Sequence, residues 1–198
     1  MSNLETAYAS IDEANARDPN TISVDGASVP AELVYGQRMT AMLARVYPDA
    51  SDDVRLAVRA QHIRRWEVPR ASYPMDRVGY LRWRKDLGRK HAEWTSEILD
   101  RLGFEAAQVA RVAALVRKEN FRRDAEAQAV EDTASLVFLA HYAEDFAAKH
   151  PAEKVVAILV KTLGKMSDAG KAAALTLDLP TPVRAALDAA LATAGEGA

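Results

Sequence analysis

Three residues carry the side chains that metal chemistry uses: His62, His91 and Asp132. Each is expected on a different helix, and donors converging from separate helices are how a metal site is built inside a bundle. Imidazole and carboxylate suit one divalent transition metal such as zinc, manganese, iron or nickel. Glu131 stands beside Asp132, and either carboxylate is a candidate catalytic group that would orient a metal-bound water. The alternative reading makes His62 and His91 hydrogen-bonded core histidines and Asp132 a salt-bridge partner.

The second chemical feature is charge. Residues 55–91 hold eleven Lys/Arg against three Asp/Glu, a count of +8, while the rest of the chain holds fifteen against twenty-five, a count of −10. Nine of the eleven are Arg. A guanidinium binds phosphate or carboxylate through two parallel hydrogen bonds, and interleaved aromatic rings offer stacking faces. Arg64, Arg65, Arg70, Arg77 and Arg84 flank an irregular stretch bounded by Pro69 and Pro74. With Tyr73 and Tyr80 they form the candidate ligand-binding set. A buried or half-buried Arg needs an anion, either a protein carboxylate or a ligand, and both stay open. Arg55, Arg59, Arg82, Lys85, Arg89 and Lys90 read as solvated helix faces. Trp66 and Trp83 read as packing residues, and His141 and His150 as structural ones.

The elements that must position these groups are helices. The 198 residues, 49% of them apolar, fit one helical domain over 1–194 with a frayed tail at 195–198. Leu4, Tyr8 and Ile11 mark a first amphipathic helix ending before Asp18-Pro19. A weak alternation from Thr21 to Val29 around Asp25-Gly26 allows a short hairpin or a loop. A helix begins at Pro30 and ends before Pro48. Ser51 caps the next, expected to reach about Trp66 and to carry His62. Asp76 caps a long helix to Leu102, stopped by Gly103. Its stripe of Tyr80, Arg84, Leu87, His91, Trp94, Ile98 and Leu102 would place Arg84 and His91 on an apolar face. Further helices are expected at about 105–118, 125–149 and 155–166, and from Pro182 onward, with a helical turn before the last.

Composition narrows the function classes. With no Cys there is no disulfide, thiol nucleophile or cysteine zinc site. No apolar run approaches roughly 18 residues, so no membrane partner is expected. The opening MSNLETAYAS lacks a basic segment followed by an apolar one, so a cytoplasmic protein is expected. A net charge of −2 argues against general polyanion coating, and phosphate or nucleic-acid binding would be local. No phosphate-binding glycine loop, HExxH or GxSxG is present.

Two resemblances follow. The run AQHIRRWEVPRASYPMDRVGYLRWR at 60–84, with DPNT at 18–21 and VEDTASLVFL at 130–139, resembles the uncharacterised domain-of-unknown-function 4202 family. The order of features is also similar to the HD superfamily of helical metal-dependent phosphohydrolases. AQHIRRWEVP at 60–69 stands where that superfamily has its His-Asp doublet, and HAEWTSEIL at 91–99 where it has a later histidine. Asp132 precedes an apolar helix, as the final metal Asp often does. Tyr35 replaces the first metal His and Ile63 replaces the Asp of the doublet. The resemblance implies an all-α bundle with HD-like topology and a degenerate metal site. It also implies binding of an anionic, phosphorylated small molecule, with metal-dependent phosphohydrolysis as one activity. A nucleotide- or RNA-binding module without catalysis and a helical interaction domain are the other readings.

Overall fold

Ser2 opens the first helix, α1 (Asn3–Asn15), by reciprocal capping: its hydroxyl accepts from Glu5 N–H and its own N–H donates to the Glu5 carboxylate. The structure is a computed structural model and describes residues 2–195. Of the tail expected to fray, residues 196–198 lie outside the described residues. The weak alternation does form a hairpin, β1 (Thr21–Val24) paired antiparallel with β2 (Ala27–Pro30). Its two-residue turn, Asp25-Gly26, has positive φ at both positions (49° and 81°), as such a tight hairpin requires. Apart from this hairpin the fold is all-α, as expected.

Pro30 then caps α2 (Ala31–Val46), and Ser51 caps α3 (Asp52–Arg59). Here the structure departs from the sequence pattern. Helix α3 stops at Arg59, so His62 sits on a turn, followed by a short 3-10 turn at Arg65–Glu67. The backbone groups that would continue the helix are claimed from elsewhere. The Ile63 carbonyl is bonded by His91, and Arg64 N–H donates to the Asn15 side chain at 3.0 Å. Arg64 takes up a left-handed φ of 52° at that point.

Asp76 caps α4 (Arg77–Arg101), which packs along α5 (Ala106–Val116). The buried face of α4 is Gly79, Trp83, Leu87, His91, Trp94 and Ile98. Tyr80 and Arg84, expected on that stripe, are exposed. The reason is the loop before the helix. Pro74 lies so close that a Cβ at Gly79 would stand 2.1 Å from the Pro74 carbonyl oxygen. Trp83 donates its indole N–H to the Val68 carbonyl at 2.9 Å. The loop therefore covers the Gly79–Trp83 side and rotates Tyr80 and Arg84 outward.

These elements make one compact unit, Met1–Asn120. Its interior holds Ile11, Met39, Leu43, Leu56, Ile63 and Leu99. A second unit, Phe121–Ala198, holds α6 (Ala125–His141), α7 (Ala143–Ala148), α8 (Ala152–Leu163), α9 (Asp168–Leu175) and α10 (Thr181–Gly195). Within it α8 packs on α10 and α6 on α9, around Leu136, Leu139, Leu159 and Leu187. The single helix expected over 125–149 breaks at Tyr142, whose φ of −131° is not helical.

The approach at Gly79 is directly testable. Gly79→Ala should cost about 2–3 kcal/mol in urea denaturation, because neither the Pro74 carbonyl nor the helix backbone can yield cheaply. A loss below about 0.5 kcal/mol, the level of a neutral surface change, would show that the loop does not press on α4.

Candidate functional site

The first unit gathers two of the expected metal ligands around a third residue that the sequence marked only by what it lacked. Tyr35, in the second turn of α2, stacks on His62 with ring centroids 3.8 Å apart and planes 8° from parallel. His62 in turn faces His91 at 5.9 Å, and His91 meets Trp94 at 6.1 Å. Arg64 closes this column of rings, its guanidinium 4.7 Å from the Trp94 ring centre. Ile63, the neighbour of His62, is fully buried core.

His91 is 3% exposed. Its Nδ1 lies 2.7 Å from the Ile63 carbonyl oxygen and donates to it, which leaves Nε2 as the acceptor nitrogen. That Nε2 is buried and has no hydrogen-bond partner among the described residues. Burial, with the neighbouring His62 and Arg65, lowers the His91 pKa to about 3. His62 is likewise held well below its ordinary value by burial, reinforced by the positive charges of Arg65, Lys118 and Arg84. Both imidazoles are therefore neutral at physiological pH.

The polar partners of His62 are Glu32 and Arg65. Glu32 Oε2 lies 3.2 Å from Nδ1, and Arg65 Nη1 lies 3.1 Å from Nε2. Burial drives the Glu32 pKa up to about 7, although Arg65 pulls it down. Arg65 also stacks over Trp83, 5.1 Å from the ring centre, and its closest ion-pair contact to Glu32 is 3.9 Å. A quarter of the His62 side chain and about a third of Arg65 stay open to solvent (25% and 35%). Glu32 was missed in the sequence. The available signal was its place three residues before Tyr35, on the same face of α2.

The remaining candidates disperse. Arg64 forms a two-point ion pair with Glu67, both contacts at 2.7 Å, and lines a cleft of about 430 Å³ with Arg17, Trp66, Trp94, Glu97 and Arg101. Arg70 donates to the carbonyls of Tyr73 and Asp76, and the Tyr73 hydroxyl donates to Asp86 at 3.1 Å. These two residues brace the loop against α4. Arg77 is exposed, and Arg84 lies 6.0 Å from the ring centre of the exposed Tyr80.

Glu131 and Asp132 belong to the second unit. Asp132 is fully buried, and its carboxylate accepts from Gln128 Nε2, Ser167 N–H and the Ser167 hydroxyl. Ser167 is the cap of α9, so Asp132 fixes where that helix starts. Gly170 is required opposite it, since a Cβ there would stand 2.6 Å from the Asp132 carboxyl carbon. Glu131 pairs with Lys165 at 3.6 Å.

A metal fits this arrangement poorly. Among the described residues no group of three or more His, Asp or Glu is placed to hold one. A guanidinium at hydrogen-bond distance from His62 Nε2 opposes a cation there by charge.

Residues 5–187 match the family described as Domain of unknown function (DUF4202), and the chain belongs to that family. No curated protein and no solved structure matches it.

Two predictions follow from this geometry. Between pH 4.5 and 6.5 the unfolded chain protonates both histidines while the folded one does not, so acid removes stability. Glu32 acts oppositely: folded, it keeps a proton up to about pH 7 that the unfolded chain releases near 4.5, so its contribution fades as pH rises. Glu32→Gln removes this opposing contribution. Its stability, measured by urea titration at several pH values, should rise with pH more steeply than that of the unsubstituted protein, by about 1.4 kcal/mol per unit in that window. Parallel profiles would mean that Glu32 titrates normally. Asp132→Ala should cost about 2–4 kcal/mol by the same method, because three donors lose a buried anion.

Proposed function

We propose that the protein binds an anionic, phosphorylated small molecule at the centre formed by Arg65, His62 and Glu32, without a metal. The observation that carries this reading is the position of Arg65. It is half-buried, it donates to a neutral imidazole, and its nearest carboxylate is 3.9 Å away and protonates near neutrality. A cation so placed gains from a bound anion. The contrast with Arg64 supports the assignment, since Arg64 already holds the Glu67 carboxylate at two points. The oxygens of a phosphate would take the Arg65 donors, and solvent access at His62 and Arg65 gives the ligand its way in.

One observation favours hydrolysis as a second reading. A carboxylate on Nδ1 of a neutral histidine orients the ring, and a bound anion that draws Arg65 off Nε2 frees that nitrogen to accept a proton, the arrangement a general base uses. In that reading Glu32 positions His62, His62 takes a proton from water as it attacks phosphorus beside Arg65, and the P–O bond to the leaving group breaks, the leaving oxygen taking a proton back from the imidazolium or from solvent. The geometry favours this over a route through Asp132, whose carboxylate is occupied by Ser167 and Gln128.

Thermal-shift titration with inorganic phosphate, pyrophosphate and nucleoside phosphates tests the binding. Saturable stabilisation by one of these is expected. Arg65→Ala should weaken it by about tenfold or more, the effect of one charge-assisted contact of about 1.5 kcal/mol or more, while Arg77→Ala leaves it unchanged. Equal binding by Arg65→Ala would overturn the site. Protein purified without chelators should carry no stoichiometric transition metal by mass spectrometry, and one per chain would overturn the metal-free reading.

A further inference from the structure

We propose that the first half of α4 and the loop before it dock on an anionic lipid surface. The observation is a concentration of exposed aliphatic side chains where the chain is most basic. Met75 is 78% exposed, Val78 74% and Leu81 55%. They fall within seven residues of one another, and Tyr80 beside them is also exposed. On a helix of 3.6 residues per turn, Val78, Leu81, Arg82, Lys85 and Arg89 share an arc of roughly 100°. That arc lies opposite the buried face of Gly79, Trp83, Leu87 and His91. Residues 70–90 hold seven Lys/Arg against two Asp, a count of +5. Arg77, Arg82, Arg84, Lys85 and Arg89 are all exposed.

The occupant follows from shape and charge. Met75 and Val78, with about three-quarters of their surface in water, and Leu81, with over half, stand proud of the protein; they do not line a groove that a partner helix could enter. A fluid acyl layer is the environment that can surround them. Aliphatic groups gain nothing by stacking on bases, and the one ring here, Tyr80, already has Arg70 and Arg84 over it at 6.0 Å. Lys and Arg with long stems can keep their charges among anionic headgroups while the aliphatic groups enter below them. The presentation is rigid. Arg70 bonds to the Tyr73 and Asp76 carbonyls, and the Pro74–Gly79 approach fixes Met75 relative to the helix. Among the described residues no helix is long and apolar enough to cross a membrane, and surface docking needs none.

Flotation of the full chain with phosphatidylcholine vesicles, with and without about one-third phosphatidylserine, tests this. The protein should float with the anionic vesicles and not with neutral ones, and added salt should release it. Val78→Ser with Leu81→Ser should weaken partitioning by about tenfold or more, since each loses apolar burial. Both positions are exposed, so the thermal midpoint and the phosphate response should stay as they were. No flotation with anionic vesicles would overturn the proposal. So would flotation that the double variant leaves intact, because charge alone would then account for it. Tight binding to single-stranded RNA that is equally indifferent to Val78→Ser and Leu81→Ser, without flotation, would reassign the face to nucleic acid.

Discussion

The hydrogen bond from His91 Nδ1 to the Ile63 carbonyl organises the first unit. It is 2.7 Å long, buried, and joins residues 28 apart in the chain. It takes an acceptor that a continuing α3 would have used, so it helps end that helix and create the turn that carries His62. It sets the tautomer of His91, and so decides that the buried nitrogen facing away is an acceptor. It also holds Ile63 inward as core, with His62 and Arg65 turned together toward Glu32 and Arg64 toward Glu67 and Trp94. Asn15 completes the turn by accepting from Arg64 N–H, and the left-handed residue is held at both ends.

That single turn gives two adjacent arginines opposite roles. Arg64 reaches a carboxylate three residues on and lies over Trp94, so its charge is met within the protein. Arg65 points to the histidines and meets Glu32, an acid that its own burial makes weak. The sequence pattern could not separate these fates. Both arginines sit beside the same loop, both are close to Trp residues, and both have a Glu within reach in the chain or in space. What separates them is one residue with positive φ, and nothing about an arginine signals that conformation in advance.

Local signals were the legible ones. Ser51 and Asp76 each cap a helix with their own side chain, and Asp25-Gly26 makes the hairpin turn. His91 fell on an apolar stripe, but nothing in the spacing showed that His62 would meet it; the turn after α3 brings the two together. The failures share a cause, tertiary contacts that override periodicity. The stripe through Tyr80 and Arg84 fits helical spacing as well as the one through Gly79 and Trp83, and only the Pro74 approach chooses between them. The extension of α3 to Trp66 violates no propensity; it is stopped by partners on α1 and α4. Asp132 sits beside Glu131 in a pattern that resembles a metal ligand, yet its surroundings are the donors of a helix cap 35 residues further on. A buried carboxylate wanted by a metal and one wanted by a serine look alike in sequence.

The unpartnered Nε2 of His91 bears on why a histidine stands there at all. Fixing the Ile63 carbonyl needs one donor, and the second nitrogen adds a desolvation cost of about 1–3 kcal/mol when nothing bonds to it. Packing does not require the ring either, because the neighbours Leu87 and Ile98 show that aliphatic groups fill this face of α4. Both imidazoles are kept neutral, beside an arginine whose charge is incompletely met. Burial holds both rings neutral, so neither adds positive charge beside Arg65, and an anion there would meet the guanidinium alone. Burying His91 thus places a neutral ring against His62 and fixes the turn at Ile63, at the desolvation cost that its unbonded Nε2 carries.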